Sequence, residues 1–303
     1  MSGARGRDAD RDEAARCWSL LGYDGGIAGV RRLAGGASGS AVYELTVDGR
    51  EPLVLKVATD RTDRLRADRE LRFYRDLGPT VPVRVPALLA GADGGDRTCL
   101  LFASAGVASD PARWSGDRWT RLAAELGRLH ADRTATGWPG AKAGHTPTED
   151  ELRAAVGTWA SMGYGALLAP LWPEYDRLAA ALAELPSCLL HGDWHLGNIL
   201  VDPSDRFVWI DWQDVGFGYG PEDLALLWQR AEFDGVPPPR EAMLTTYAQA
   251  RGVPDDAPLG RAAVAAELTL LLLAWPPYLA HAAAPGRGRL LDRLAYLVEA
   301  WRR

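Results

Sequence analysis

The sequence predicts an α+β fold with two lobes, a small lobe built on an antiparallel sheet and a larger lobe that is mainly helical. Up to about residue 103, apolar residues alternate in short segments separated by turn residues, which is typical of strands. After Gly106 the segments lengthen and their apolar residues recur every three or four positions, which indicates amphipathic helices. We therefore expect an N-terminal lobe over residues 1–104 and a C-terminal lobe over residues 105–303.

The N-terminal lobe is predicted to contain two helices and four strands. Turn residues such as Asp48 and Gly49 separate two of the strands, and Gly78 followed by Pro79 ends the second helix. In chain order, the predicted elements cover residues 8–21, 42–47, 53–58, 60–77, 87–90 and 98–103.

The C-terminal lobe is predicted to be helical apart from one hairpin near residue 200. Its helices cover residues 118–131, 149–162, 172–185, 221–231, 240–251, 259–275 and 288–301. The hairpin is predicted to have a four-residue loop at 203–206. Antiparallel pairing across that loop would place Asp202 opposite Phe207, Ile199 opposite Ile210, and Asn198 opposite Asp211.

The composition excludes several classes of protein. A formal net charge of −6 argues against nucleic-acid binding, which needs a basic surface. The longest apolar run contains Glu267 and is broken by Pro276 and Pro277, so it predicts a buried helix and no membrane span. The first residues lack the apolar core of a secretory signal, and the three cysteines show no paired spacing. We expect a cytoplasmic protein whose partner is neither a nucleic acid nor a membrane.

A polar cluster, HGDWHLGNIL at residues 191–200, lies between apolar stretches. Polar side chains in such a place cost free energy unless something pairs with them, so the cluster predicts a ligand, a metal or a catalytic task. His191 and His195 are four residues apart and are open to interpretation as a zinc pair. The neighbouring glycines disfavour a helix there, and no third zinc ligand is evident, so support of the loop by hydrogen bonds is the favoured role of His191.

The predicted pairing of Asn198 with Asp211 brings an amide oxygen and a carboxylate together. Mg²⁺ prefers hard oxygen ligands and is commonly completed by substrate phosphates. Asp193 lies five residues before Asn198, on the segment that leads into the hairpin. That is a suitable position for the residue that receives a hydroxyl proton during phosphoryl transfer.

Lys56 is conspicuous because Lys56 and Lys142 are the only lysines among 34 basic residues. It stands in the apolar strand LVLKVA, from which its ammonium group would reach phosphate oxygens. Glu70 on the following helix is predicted to hold it, although Glu70 also has the alternative of pairing with Arg66 or Arg69 on an exposed helix face. The segment AGGASGSAV allows the close backbone approach that phosphates require.

These motifs together resemble the aminoglycoside phosphotransferase and choline kinase branch of the protein-kinase-like fold. The resemblance rests on HGDWHLGN, on WIDWQD at 209–214, and on their spacing. It runs from about Leu33 through Lys56, Glu70 and RLAAELGRLH to YGPEDLALLW at 219–228. It implies a catalytic role for Asp193 and Mg²⁺ coordination by Asn198 and Asp211.

The resemblance also implies a nucleotide site. It makes Lys56 the lysine on the α- and β-phosphates, with Glu70 as its partner, and it makes Asp223 a structural brace of the catalytic loop. The other implied nucleotide contacts, on the phosphates or the base, are Ser38, Gly39, Ser40, Val42, Val54, Ala103, Ala105 and His195. Ser40 departs from the last glycine of the protein-kinase loop, and no APE segment follows Asp211, which disfavours protein substrates.

The expected function is therefore an ATP- and Mg²⁺-dependent phosphotransferase acting on a hydroxyl of a small molecule, with GTP as an open alternative to ATP. An antibiotic of the aminoglycoside or basic peptide type is the favoured acceptor, because acidic residues of the helical lobe would attract a cation, although the same acids have the alternative of forming only a solvated face. These acids are Glu149, Asp150, Glu232 and Asp234. The alternatives are a metabolic kinase for choline, homoserine or a sugar-like substrate, and a non-catalytic nucleotide-binding regulator.

Overall fold

The computed structural model describes residues 2–24, 26–33, 39–110, 113–279 and 281–303, with side chains from residue 8 onward. The chain forms two compact units. The sheet unit comprises Met1–Ala108 and Ile199–Val215, and the helical unit comprises Ser109–Asn198 and Gly216–Arg303. The expected α+β class is confirmed, and the lobe boundary at residues 104 and 105 stays a prediction.

The sheet unit is built on a five-stranded antiparallel sheet with two helices. The strand order is β1-β2-β3-β5-β4. The elements are α1 (Ser2–Leu20), β1 (Ile27–Arg32), β2 (Ala41–Val47), β3 (Leu53–Ala58), α2 (Arg61–Asp76), β4 (Leu88–Asp93) and β5 (Thr98–Ala103). A second sheet joins β6 (Val107–Ala108), β8 (Ile199–Val201) and β9 (Phe207–Trp209).

The two faces of the larger sheet have different tasks because side chains alternate along a strand. Leu45, Leu55 and Val57 belong to a buried apolar cluster with Cys17 and Trp18 of α1. The opposite face carries Val42, Val54 and Lys56, of which Val42 and Lys56 lie directly across from each other. One face therefore forms the core with α1, and the other presents the candidate nucleotide-binding residues.

Two cysteines meet in this core although they are far apart in the sequence. The Sγ atoms of Cys17 on α1 and Cys99 on β5 are 2.8 Å apart, and both residues are buried and free. The sequence shows no such pairing because 82 residues separate the two. The contact arises only when α1 packs onto the sheet.

Diamide, a two-electron thiol oxidant, is expected to convert Cys17 and Cys99 to a disulfide, with both thiol protons passing to the oxidant. The bond should raise Tm because it restricts the unfolded chain. Peptide mass mapping without reduction would detect the linked peptides, and Cys188 serves as the internal control because it should remain a thiol. A mixture of linkages that includes Cys188 would contradict the expectation.

The hairpin of β8 and β9 has a register that differs from the prediction by one residue. Ile199 lies opposite Trp209, and Val201 lies opposite Phe207. The Asp202 N–H donates to the Arg206 carbonyl at 2.9 Å, and Asp205 takes a left-handed conformation with φ of 58°. A turn followed by a left-handed residue makes a three-residue connection. The predicted four-residue loop is wrong, so the strand register no longer places Asn198 opposite Asp211.

The helical unit contains nine α-helices and one two-stranded sheet in its described residues. The helices are α3 (Gly116–Ala131), α4 (Glu149–Ser161), α5 (Gly165–Leu168), α6 (Tyr175–Ala183), α7 (Pro221–Phe233), α8 (Arg240–Arg251), α9 (Ala257–Leu273), α10 (Pro276–Leu279) and α11 (Ala284–Arg302). The strands β7 (Ser187–Leu190) and β10 (Gly216–Tyr219) pair antiparallel.

The core of the helical unit surrounds α9. Leu268, Leu271 and Leu272 of α9 are fully buried in a cluster with residues of α6, α7 and α11. The helix ends at Leu273, two residues earlier than predicted, because Pro276 and Pro277 follow and proline cannot continue a helix. Within the described part of the chain, no helix has both the length and the apolar composition needed to cross a bilayer.

Gly127 permits the close contact between α3 and α8. A Cβ at this position would lie 2.7 Å from the Tyr247 carbonyl oxygen and 3.0 Å from the Arg251 nitrogen. Gly127→Ala is therefore expected to lower the free energy of unfolding by about 1–3 kcal/mol, because neither backbone can yield easily. Urea denaturation measures this change.

Gly157 in α4 provides the matched control for Gly127. A Cβ there meets no atom within 4 Å, so Gly157→Ala should raise the free energy of unfolding by about 0.5–1 kcal/mol through helix propensity alone. Equal effects of the two substitutions would contradict the close α3–α8 contact.

Candidate active site

The sheet unit holds a buried charge cluster centred on Lys56. The Lys56 Nζ atom donates to Glu70 Oε2 at 2.6 Å and to Asp211 Oδ1 at 2.5 Å. Lys56 and Glu70 are only 6% and 1% exposed. Glu70 thus faces Lys56, and the alternative of a surface pair with Arg66 or Arg69 is not what the structure contains.

Burial and charge act against each other in this cluster. Burial lowers the pKa of Lys56, but the carboxylates of Glu70 and Asp211 outweigh it and raise the pKa above its ordinary value. Burial raises the pKa of the Glu70 carboxyl, assisted by the negative charge of Asp211 and opposed by Lys56. One ammonium group between two carboxylates leaves a net negative charge, which suits a divalent cation at the exposed side of Asp211.

The backbone at Asp211 is strained and is held by α2. Asp211 has φ of 67°, a left-handed value that is costly for a residue with a side chain. The next ring, Trp212, stacks on Phe73 of α2 with centroids 4.0 Å apart, and Arg69 donates to the Gln213 carbonyl at 2.6 Å. Because Trp212 is fully buried, it steadies this segment and offers no surface to a substrate.

The glycine- and serine-rich segment is described only from Gly39 onward, so the predicted contact at Ser38 lies outside the described residues. Gly39 has φ of +66°. The Ser40 Oγ atom is buried and has no hydrogen-bond partner among the described residues. Since a buried hydroxyl without a partner is costly, a phosphate oxygen is a chemically suitable partner for Ser40.

The remaining predicted nucleotide contacts of the sheet unit are half-buried. Val42 and Val54 share the sheet face of Lys56. Ala103 ends β5, and its N–H already donates to the Ala87 carbonyl at 3.0 Å. Ala105 lies in the connection that follows β5. The Ala103 N–H is therefore engaged within the protein, which leaves Ala105 as the better candidate for a backbone N–H contact to a base.

The catalytic loop predicted at residues 191–198 follows β7 in the helical unit. The Asn198 side-chain amide donates to the Asp193 carbonyl at 2.8 Å and to Asp193 Oδ2 at 3.2 Å. The Asp193 N–H donates to His191 Nδ1 at 3.3 Å. Asp193 and Asn198 therefore lie together, and Asn198 would present its amide oxygen to a cation because its nitrogen is engaged.

The charge of Asp193 is stabilised by its neighbours. Burial raises its pKa, but hydrogen bonding and charge from His195, with help from His191 and Asn198, bring the pKa below its ordinary value. The His195 Nε2 atom is 3.7 Å from Asp193 Oδ1, and its Nδ1 accepts from the Gly197 N–H at 3.1 Å. Asp193 is thus a carboxylate at neutral pH, and the predicted contact of His195 with a γ-phosphate stays a prediction.

Asp223 braces the catalytic loop, as the resemblance implied. Its carboxylate accepts the N–H of His191 at 2.8 Å and the N–H of Gly192 at 3.0 Å. His130, Tyr247 and Arg251 extend this contact on the side away from the loop. No sequence motif distinguishes these three residues, and their one signal is polar character on helix faces that are otherwise apolar.

The sequence profile of the family described as "Phosphotransferase enzyme family" matches residues 29–265. The chain belongs to this phosphotransferase family. The predicted recognition and the predicted enzyme class are confirmed. The search of curated protein sequences finds no match.

Solved phosphotransferase structures share the fold over nearly the whole chain. The GDP complex of aminoglycoside 2'-phosphotransferase-IIIa is 14% identical, with a TM-score of 0.68 and coverage of 96% of this chain and 99% of that one. A microcompartment-associated aminopropanol kinase is 21% identical, with a TM-score of 0.65 and 97% of each chain covered. Macrolide 2'-phosphotransferase MphH from Brachybacterium faecium is 20% identical, with a TM-score of 0.61 and coverage of 97% and 98%.

Proposed function

We propose that this phosphotransferase transfers the γ-phosphate of ATP, with Mg²⁺, to a hydroxyl group of a small molecule. The observation that carries the proposal is the buried contact of Lys56 with both Glu70 and Asp211. Burial of these three charged groups costs desolvation free energy. The chain contains one other lysine, so a lysine retained at this buried position indicates a function for its charge. Alignment of a triphosphate is a function that such a charge can serve.

The sheet unit would hold the donor nucleotide. Lys56 would contact the phosphates, Ser40 would donate its unpaired hydroxyl, and Val42 with Val54 would cover the base. We propose that Asp211 and the amide oxygen of Asn198 hold Mg²⁺, since both offer the hard oxygen ligands that this ion prefers. When bound, the ion would neutralise phosphate charge. GTP is the alternative donor.

The helical unit would supply the residue that acts on the acceptor. Asp193 would accept a hydrogen bond from the acceptor hydroxyl and orient its oxygen towards the phosphate. A carboxylate with a lowered pKa is a weak base, so its main contribution would be orientation, with the proton moving late. This suits phosphoryl transfer, in which the bond to the leaving group is largely broken before the new bond forms.

An antibiotic is our favoured acceptor, and the acidic residues named in the sequence analysis do not strengthen this choice. Asp150 pairs with Arg153, and Glu232 pairs with Arg240. Glu149 also lies within 4.0 Å of Arg153. Because Arg153 and Arg240 offset part of the charge of Glu149, Asp150 and Glu232, attraction of a cationic acceptor by these three acids is weakened. The antibiotic acceptor is instead supported by family membership and by the named antibiotic phosphotransferases of the same fold.

A metabolic amino alcohol is the second candidate acceptor, because an aminopropanol kinase shares the fold at 21% identity.

We place the reaction in the cytoplasm. Free thiols at all three cysteines suit a reducing compartment.

Mass spectrometry would test the proposed function directly. The protein would be incubated with Mg²⁺ and either ATP or GTP, together with aminoglycosides, macrolides, choline, homoserine and aminopropanol. The expected result is the addition of one phosphate to an antibiotic. Transfer only to the amino alcohols would favour the metabolic kinase. Nucleotide binding without transfer to any acceptor would contradict the proposal and favour a regulator.

A further inference from the structure

A closed ring of buried hydrogen bonds supports the first residues of the catalytic loop. Arg251 of α8 donates from Nη1 to the Tyr247 hydroxyl at 2.8 Å. The same hydroxyl lies 3.0 Å from His130 Nδ1, and His130 Nε2 lies 3.3 Å from Asp223 Oδ2. Asp223 in turn accepts the backbone N–H of His191. The ring thus connects α8 to the first residue of the loop through α3 and α7.

The ring closes through β7, because Arg251 has a second partner. Its Nη2 donates to the Pro186 carbonyl at 2.5 Å, immediately before β7 begins at Ser187. At the other end of β7, Asp223 holds the N–H groups of His191 and Gly192. One guanidinium group and one carboxylate therefore fix the start and the end of the strand that delivers the catalytic loop.

The directions of two of these hydrogen bonds follow from the chemistry of the groups. The Arg251 guanidinium can only donate, so the Tyr247 oxygen accepts from it. An ionised carboxylate can only accept, so His130 donates from Nε2 to Asp223. Burial lowers the pKa of His130, but Cys188, Tyr247 and Asp223 raise it above its ordinary value. Arg251 and Asp223 thus lie with opposite charges in one buried network.

The space for this ring depends on the absence of a side chain at Gly220. A Cβ there would lie 1.8 Å from the Tyr247 hydroxyl and 2.7 Å from both Arg251 Nη1 and His130 Nδ1. Gly220 immediately precedes α7, the helix that carries Asp223. The backbone therefore passes directly over the ring.

We propose that Tyr247 and Arg251 are positioning residues that set the geometry of the catalytic loop through His130 and Asp223. The inference rests on the proposed function, because it assigns the catalytic step to that loop. Neither residue touches the reacting groups in this assignment. Loss of the Arg251 contact with the Pro186 carbonyl would release the start of β7, and loss of the Tyr247 contact with His130 would weaken the support of Asp223 at its end. Either change would displace Asp193 from its productive position.

Hydrogen exchange on the nucleotide-free protein tests the inference without any substrate. Tyr247→Phe removes one hydroxyl, and Arg251→Met removes the two hydrogen bonds that the guanidinium group donates to Tyr247 and Pro186. In both variants, we expect amide exchange in peptides covering residues 188–198 to rise by about tenfold or more, because local opening becomes easier. Arg251→Lys retains the positive charge but loses the planar guanidinium group that reaches two acceptors, so the rise in amide exchange should be intermediate.

Kinetics on the acceptor found by mass spectrometry provide the second readout. A misplaced catalytic group costs up to about 10²-fold in rate, so kcat should fall by about 10- to 100-fold in Tyr247→Phe. The KM for ATP should change less than kcat, because most of the proposed nucleotide contacts belong to the sheet unit, whereas only His195 and Asn198 lie on the loop. If wild-type protein transfers no phosphate, the proposed function fails, while the exchange experiment still decides this inference.

Gln229→Met is the matched control. Gln229 is fully buried in the same unit and makes two hydrogen bonds, with the Glu267 carbonyl and the Trp275 indole, each at 2.8 Å. Its loss should cost stability without changing exchange at residues 188–198 or kcat. Unchanged loop exchange in Tyr247→Phe and Arg251→Met, or an equal kcat loss in Gln229→Met, would overturn the positioning role.

Discussion

Asp193→Ala is expected to abolish measurable phosphate transfer, with a fall in kcat of at least about 10²–10⁴-fold. The reason is that the acceptor hydroxyl loses the carboxylate that orients it and receives its proton. The affinity for ATP should stay nearly unchanged, because the predicted phosphate and base contacts of Lys56, Val42 and Val54 belong to the sheet unit. Steady-state kinetics and calorimetric titration with ATP measure the two quantities.

Asp255→Ala is the control for this experiment, because Asp255 is an exposed aspartate of the same helical unit. It should leave both kcat and the affinity for ATP unchanged. Equal turnover of wild-type protein and Asp193→Ala would remove Asp193 from the mechanism. A parallel loss of ATP affinity and kcat would instead indicate that Asp193 serves nucleotide binding.

Lys56→Met is expected to impair both nucleotide binding and stability. The substitution leaves the carboxylates of Glu70 and Asp211 in the cluster without their shared ammonium group. Removal of one partner from a buried ion pair typically costs about 3–5 kcal/mol, and the affinity for ATP should fall because a phosphate contact is lost. Chemical denaturation and nucleotide titration measure these effects.

The stability loss in Lys56→Met should depend on pH with a definite sign. Without Lys56, burial favours the protonated form of Glu70 even more strongly than in the wild-type protein, in which the pKa is already raised. The folded state then binds a proton more readily than the unfolded state, so the free energy of unfolding falls as the pH rises. The defect should therefore be smaller at acidic pH than at neutral pH.

Lys142→Met provides a matched control because Lys142 is the other lysine of the chain and is exposed. Its substitution should change neither the affinity for ATP nor the pH dependence of unfolding. A stability loss in Lys56→Met that does not vary with pH would contradict the assigned charge cluster.

Short-range patterns carried most of the correct expectations about this phosphotransferase. The spacing of Asp193 and Asn198 lies within one loop, so their contact follows from local chain geometry. The scarcity of lysine distinguished Lys56 before any contact was known. The helices were predicted because burial of one face imposes a period on the sequence. The predicted ends of the helices were less accurate: α9 ends at Leu273, two residues before the predicted end.

The register of the hairpin shows where local reasoning failed. Asp205 adopts a left-handed conformation, which local patterns did not predict, and the loop therefore contains three residues and not four. The expected placement of Asn198 opposite Asp211 depended on that count. Metal coordination by these two residues therefore stays a prediction, which rests on their chemistry and on the family resemblance.

The sequence by itself determined the family, the longer helices, four of the five strands of the larger sheet and the residue types that carry the proposed chemistry, because these depend on periodicity and spacing along the chain. Only the tertiary structure decided that Glu70 faces Lys56, that Cys17 meets Cys99, and that a ring joins Arg251 to the catalytic loop. His130 and Tyr247 are 117 residues apart. Such contacts form because packing buries polar groups, and a buried polar group is stable only when it is hydrogen-bonded. No local sequence pattern determines which group becomes its hydrogen-bond partner.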